Sequence, residues 1–413
     1  MKAYNTKQIE DKLRYLINNN HKLQENNKQP LSINLVGEAG IGKTSLVRQI
    51  AESLKMSFVE INLSQLDEVG DLVGYPIKEM EAQMFKLTQE GDKVKRIPSG
   101  KVWITEAMMK NLNPKQYMLT NNTRMSYAKP AWVPEYNENG TIVLLDDYTR
   151  CTPVFMQAIM NLLLNQKYMS WKLPEKTTIV LTSNPDNGKY NVVGQDLAQQ
   201  DRCVSYNVGF NADIWAQWAE KNNIDSRCIS FALYFEKELF EQDEQGNSIS
   251  TPRSFTMFCD AISGIDDWEN SESLDMIQFL ASGCLRDADN KFGSMFTTFI
   301  TQRMHLMMEP KKILLAKWDT IADKLKGQVF KDGQHDVSVS SILERRFTNY
   351  VISWLDNEEK TPISIVKDRI LDFIHNNIFT ESMMYHMLQT LTKTHKQQTS
   401  KLLFVPEISQ ILN

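Results

Sequence analysis

No apolar run in this 413-residue chain approaches the ~20 residues needed to span a bilayer. The opening stretch, MKAYNTKQIEDKLRYL, lacks the apolar core of a secretory signal. A soluble, cytoplasmic protein with no membrane partner is therefore expected. A basic excess is also missing: 46 Lys and Arg stand against 51 Asp and Glu, for a net charge of −5. Tight nucleic-acid binders usually carry such an excess, so nucleic acid is not the favoured partner, although a local patch around Lys311 and Lys312 stays open. The five cysteines, Cys151, Cys203, Cys228, Cys259 and Cys284, are far apart and form no CxxC or Cys/His pairing. That argues against a zinc site or a disulfide framework and for buried free thiols in a reducing compartment. There is no internal repeat, no low-complexity segment, no HExxH, no nucleophile elbow and no sensible Ser/His/Asp arrangement.

The composition, 42% hydrophobic and 23% charged, is that of a globular protein, and the length predicts two or three domains. Ile9, Leu13, Leu16 and Ile17 recur at helical spacing within 4–27, before a polar turn. From residue 32 the pattern changes to short apolar strands alternating with helices. The strands are SINLVG, SFVEINLS (57–64), TIVLLDD (141–147), TTIVLTSNP (177–185) and CVSYNVGF (203–210); GKTSLVRQIAESL and PVFMQAIMNLLLNQ (153–166) are helices. Continuous apolar strands alternating with helices imply a parallel sheet covered on both faces, an α/β layer fold. The seventy or so residues before TIVLLDD are too long for a simple connection. Within them a hairpin over 85–97, turning at Glu90-Gly91-Asp92, and a helix over 104–112 are expected. After about 210 the strand signals stop and amphipathic helices continue to the end.

One motif carries chemistry. GEAGIGKT (37–44) fits G-x-x-x-x-G-K-[ST], between the strand SINLV and the helix SLVRQIAESL. Gly37, Glu38, Ala39, Gly40, Ile41, Gly42, Lys43, Thr44 and Ser45 are the candidate nucleotide-binding residues. Gly40 and Gly42 let the backbone turn its N–H groups toward phosphate oxygens, and the helix N-terminus faces the same anion. Lys43 is placed to reach the β- and γ-phosphates of ATP, and the Thr44 hydroxyl to bind Mg2+. Such a loop needs an acid at the end of a neighbouring strand, and TIVLLDD supplies Asp146 for the metal and Asp147 to orient or deprotonate water. The next strand ends in TSNPDNG, where the Asn184 carboxamide can bond both the γ-phosphate and the lytic water; Asn-Pro also favours a plain turn there.

The ordered set GEAGIGKT, LLDDYTR, LTSNP, QQDRC and TPRSF resembles an AAA+ ATPase of the MoxR-like, dynein-related group. GDLVGYP (70–76), the run WKLPEKTTIVLTSNP and IWAQWAEKNNI agree with that group locally, and the likeness covers roughly 30–265. The resemblance implies a three-layer parallel-sheet core over 31–210 with an insertion at about 77–139, and an all-helical lid over 211–289. The helical patterning outside the likeness adds an N-terminal helix and linker over 1–30 and a helical C-terminal domain over 290–413. It implies homo-oligomeric rings, usually hexamers, with ATP at subunit interfaces. Arg202 matches the arginine finger that reaches a neighbour's γ-phosphate, or is a surface ion-pair residue. Arg253 matches the sensor arginine of the lid, and Arg150 works at the ring interface or in a local salt bridge to the acids. The group usually has Glu where this chain has Asp147, which puts turnover in more doubt than binding. The implied function is a motor that remodels or activates a client protein, in the family often one carrying a von Willebrand A-type domain. Tyr75 and Trp132 are candidate client contacts or packing aromatics. A helicase- or loader-type nucleic-acid motor and a nucleotide-gated assembly protein with slow turnover are the alternatives.

Overall fold

Five strands form a parallel sheet: β1 (Ser32–Val36), β2 (Ser57–Asn62), and three more that follow a long insertion. The computed structural model describes all residues except 1–2, 91–92, 188–189, 191, 195–196, 242–249, 286–290, 303, 357–362 and 413. Two compact units divide the chain: residues 1–38 with 43–209, and residues 39–42 with 210–413.

In the first unit, α1 (Thr6–Glu25) and α2 (Lys43–Ser53) precede α3 (Val69–Val73) and the insertion strands β3 (Pro76–Glu90) and β4 (Lys93–Thr105). After them come α4 (Glu106–Met109), β5 (Tyr117–Tyr127), β6 (Thr141–Asp146), α5 (Pro153–Asn165) and the short pair β7 (Lys167–Tyr168) and β8 (Trp171–Lys172). The unit closes with β9 (Thr177–Ser183), α6 (Leu197–Gln200) and β10 (Cys203–Asn207). The parallel sheet runs β10-β1-β9-β6-β2, and every residue of β9 is buried. Alternation sorts its side chains. Val143, Leu145, Ile179 and Leu181 join Met156, Ile159 and Leu162 of α5 in one core layer. Ile33, Leu35, Ile142, Leu144 and Val180 point the other way, where α1 and α2 pack. Asn20 pins α1 to the sheet, accepting from Leu31 N–H at 2.8 Å and donating to Leu31 O at 2.9 Å.

The insertion is larger than the hairpin expected over 85–97. β3 and β4 pair along their lengths, and β5 adds a third antiparallel strand to give the order β4-β3-β5. Of the expected turn, Gly91 and Asp92 lie outside the described residues. The helix expected over 104–112 shrinks to α4, because Ile104 and Thr105 pair with Met80 and Glu79 as strand. Trp132 packs edge-on against Trp171 at 5.7 Å and donates to Leu72 O at 2.8 Å, which makes it a packing residue; Tyr75 is exposed, its hydroxyl 3.0 Å from both the Glu68 and Asp71 carboxylates, which share its one proton.

The second unit is built of helices. They are α7 (Ala212–Lys221), α8 (Ser226–Tyr234), α9 (Glu236–Phe240), α10 (Pro252–Ala261), α11 (Ser271–Leu285), α12 (Lys291–Thr301), α13 (Pro310–Leu315) and α14 (Trp318–Val329). A short hairpin, β11 (Phe330–Lys331) and β12 (Gln334–His335), is followed by α15 (Val337–Asp356), α16 (Ile363–His375), α17 (Glu381–Thr394), α18 (Lys396–Thr399) and α19 (Pro406–Leu412). The sequence reading has no strand here; Asp332 and Gly333 take positive φ in the Asp-Gly turn that makes one. A single apolar core runs from Ala212 to Ile408, with α15 buried along most of its length. Among the described residues no helix is long and apolar enough to cross a membrane. The cysteines are free, but Cys203 and Cys284 are half-buried where buried thiols are expected. Burial still pushes the Cys203 thiol up to about 12 and the Cys151 thiol to about 11.

Candidate functional site

The site collects where β1, β6 and β9 end side by side, as parallel pairing with short crossovers requires. Residues 37–42 follow β1 directly. Gly37 N–H donates to Ser183 O of β9 at 3.1 Å, which holds the start of the loop to the sheet. Gly40 and Gly42 have φ of +77° and +88°, a left-handed backbone that glycine adopts without strain. A Cβ on Gly42 would meet nothing within 4 Å, so this side of the loop is open; a Cβ on Gly40 would lie 3.0 Å from Arg253 Cβ and 3.2 Å from Thr251 Oγ1. α2 begins at Lys43, so the N-terminal amides of an eleven-residue helix face the loop. The loop thus has the two features an anion needs, inward-turned backbone and a positive helix end.

Lys43 is buried, and its ammonium donates to the carbonyls of Gly37 at 2.7 Å and Glu38 at 2.9 Å. Glu38 in turn accepts from the Tyr190 hydroxyl and from Asn187 Nδ2 at 3.3 Å, side chains from the segment after β9. Ile41 is buried, Ala39 half-buried and Ser45 exposed.

Thr44 Oγ1 donates to Asp146 Oδ1 at 2.9 Å. Its proton is directed at the carboxylate, which leaves the hydroxyl lone pairs to act as a metal ligand. A hydroxyl and a carboxylate converging in this way suit a small hard cation. Among the described residues no cluster of three His, Cys, Asp or Glu side chains could hold a metal.

Asp147 follows β6 in a left-handed conformation, φ 53° and ψ 38°. Its carboxylate lies 3.5 Å from Asn184 Nδ2 and 3.6 Å from the Arg150 guanidinium. Asn184 is buried at the end of β9. The structure therefore brings Lys43, Thr44, Asp146, Asp147 and Asn184 to neighbouring strand ends, with Arg150 in the local ion pair. Arg202 lies between α6 and β10, half-buried, its N–H donating to Gln199 O at 3.3 Å. Arg253 is exposed in the first turn of α10, after a capping box formed by Thr251 and Ser254.

Two sets of neighbours escape the sequence reading. Thr182 Oγ1 donates to Asp146 Oδ1 and accepts from Asp147 N–H at 3.2 Å; Tyr190 and Asn187 hold Glu38. A strand-order argument reaches Thr182, since Leu145 pairs with Leu181 and the next residues are Asp146 and Thr182. Nothing local in the sequence marks Tyr190.

Residues 33–111 match the family described as "ATPase family associated with various cellular activities (AAA)". The match takes in β1, the glycine loop and α2. Apart from residues 39–42, the matched segment lies in the unit that holds the parallel α/β sheet. Members of that family are ATPases. No curated protein matches the sequence. Among solved structures, a RuvB mutant from Thermotoga maritima is similar at 11% identity and a TM-score of 0.34, over 78% of each chain.

Proposed function

We propose that the chain binds ATP with Mg2+ and hydrolyses it, as a MoxR-like AAA+ motor that works as a homo-oligomeric ring, usually a hexamer in that group, and remodels or activates a client protein. The observation that carries the reading is the hydrogen bond from Thr44 to Asp146 across 102 residues, beside a glycine loop of the matching family. It joins the two halves of a metal–triphosphate site. Mg2+, held through Thr44 and Asp146, would neutralise charge on the β- and γ-phosphates. Lys43 and the 37–45 amides bind the phosphates, Asp147 takes a proton from water, and Asn184 orients that water. Arg202 serves as the finger from a neighbouring copy and Arg253 as the lid arginine. The client is a protein, with a von Willebrand A-type domain as the family's frequent choice, in the cytoplasm.

The test is steady-state ATP turnover with Mg2+ and binding of a fluorescent ATP analogue, for the wild type and Lys43→Ala. Saturable binding and turnover that both vanish in the variant are expected. Binding that persists in Lys43→Ala would falsify the assignment of the loop. A second reading, a nucleotide-gated assembly protein with slow turnover, draws on the Arg150–Asp147 ion pair and the short Asp147 side chain. It predicts ATP-dependent assembly without multiple turnover.

A further inference from the structure

Three groups meet at Asp146, and one of them has no role in the scheme above. Asp146 Oδ1 accepts from both Thr44 and Thr182 hydroxyls, and Thr182 Oγ1 accepts from Asp147 N–H at 3.2 Å. Thr182 is buried, 1% exposed, in the second-last position of β9. Its hydroxyl donates once and accepts once. The result is a directional chain: Asp147 amide to Thr182 hydroxyl to Asp146 carboxylate, with Thr44 closing on the same oxygen. Such chains strengthen link by link in a buried setting.

The amide of Asp147 needs this partner. β6 ends at Asp146, and the left-handed turn at Asp147 carries its N–H out of the ladder to β9, whose last paired residues are Leu145 and Leu181. A non-glycine residue holds that conformation only when its surroundings fix it. Thr182 supplies a bond to its backbone, while Asn184 and Arg150 lie beside its carboxylate.

We infer that Thr182 is a positioning residue that links the metal-binding carboxylate of Asp146 to the backbone carrying Asp147. The hydroxyl fixes which Asp146 oxygen is engaged by protein donors and sets the direction in which Asp147 leaves the strand. The inference rests on the proposed ATP–Mg2+ reading of the same site.

Three variants test it: Thr182→Val, which keeps the shape and deletes the hydroxyl, Thr182→Ser, which restores it, and Thr182→Ala for use if valine does not fold. The readouts are binding of a fluorescent ATP analogue in EDTA, the Mg2+ concentration for half-maximal turnover, and kcat. In Thr182→Val, metal-free binding stays within about twofold, while half-saturating Mg2+ rises and kcat falls by roughly tenfold each, the scale seen when a partner behind a metal ligand is removed. Thr182→Ser returns both to near wild type. Wild-type Mg2+ dependence and kcat in Thr182→Val, or equal losses in the serine variant, overturn the inference. Lys43→Ala separates the two levels: if it still binds ATP, the reading of the site fails; if it does not while Thr182→Val is normal, only the role of Thr182 fails.

Discussion

Asp147 is one methylene shorter than glutamate, so its carboxylate ends about 1.5 Å nearer the backbone. Arg150 lies 3.6 Å from one oxygen and Asn184 3.5 Å from the other. A base restrained between two donors, and short of reach, deprotonates water less readily. Asp147→Asn is expected to lower kcat by about 10²-fold or more while leaving ATP binding intact, the range for loss of a general base. Asp147→Glu is expected to raise kcat a few-fold by extending the reach. Turnover assays on the three proteins decide it; an unchanged rate in Asp147→Asn removes Asp147 from the chemistry. At this scale the sequence was legible wherever a residue type has one use. Lys43 and Thr44 could be singled out from the loop motif and Asp146 from the end of a following strand, and the structure joins Thr44 to Asp146. Thr182 could not, because its partners come from the adjacent strand and a buried threonine in a strand ordinarily fills space.

At the scale of elements, the pattern located all five strands of the parallel sheet; β6 and β9, buried along nearly their whole lengths, read as near-continuous apolar runs, while the outer strands β2 and β10 mix polar residues in. The insertion was harder. Register shifts at Met80/Ala82 and at Met84/Phe85 break the alternation, and Asn121-Asn122 within β5 reads as a turn rather than a strand. The helices of the second unit were legible as amphipathic stripes, but not the charges inside them. Glu220 of α7 is pushed up from 4.5 to about 7 by burial, a shift that the nearby Arg346 opposes and Glu309 reinforces. Arg346 of α15 is itself wholly buried, and among the described residues its Nε and Nη2 have no hydrogen-bond partner. Between 4.5 and about 7 the folded form holds more proton on Glu220 than the unfolded form does. Stability therefore falls as pH rises through that window and levels off above it. Glu220→Gln removes the slope. Relative to wild type, the variant should gain on the order of 3 kcal/mol between about pH 4.5 and pH 8. Urea denaturation across that range measures it, and a difference that stays flat with pH counts against the burial argument.

For the whole molecule, the proposed site is incomplete within one copy if Arg202 acts on a neighbour. That arrangement has a consequence which a self-contained site lacks. Lys43→Ala disables the loop of its own copy but still offers Arg202 next door; Arg202→Ala does the reverse. Each variant alone should be inactive, since a finger arginine contributes ~10³–10⁵ in rate. Mixed in equal parts in a closed ring, an intact loop meets an intact finger at about a quarter of the interfaces, because each half is supplied independently with even odds. Turnover near a quarter of the wild-type rate is then expected from two proteins that have none. If the finger works within its own copy, every site in the mixture lacks one half, and mixing restores nothing. The measurement is ATP turnover of the two variants alone and after mixing, with subunit exchange followed separately by energy transfer between labelled copies, and a second mixture of wild type with an Arg202→Ala/Lys43→Ala double variant. In that second mixture turnover per wild-type copy should drop by about half if the finger acts on a neighbour, because the wild-type loop then meets an intact finger at only half of its interfaces. No drop there and no recovery in the first mixture, with exchange complete, would place Arg202 in the copy whose loop it serves.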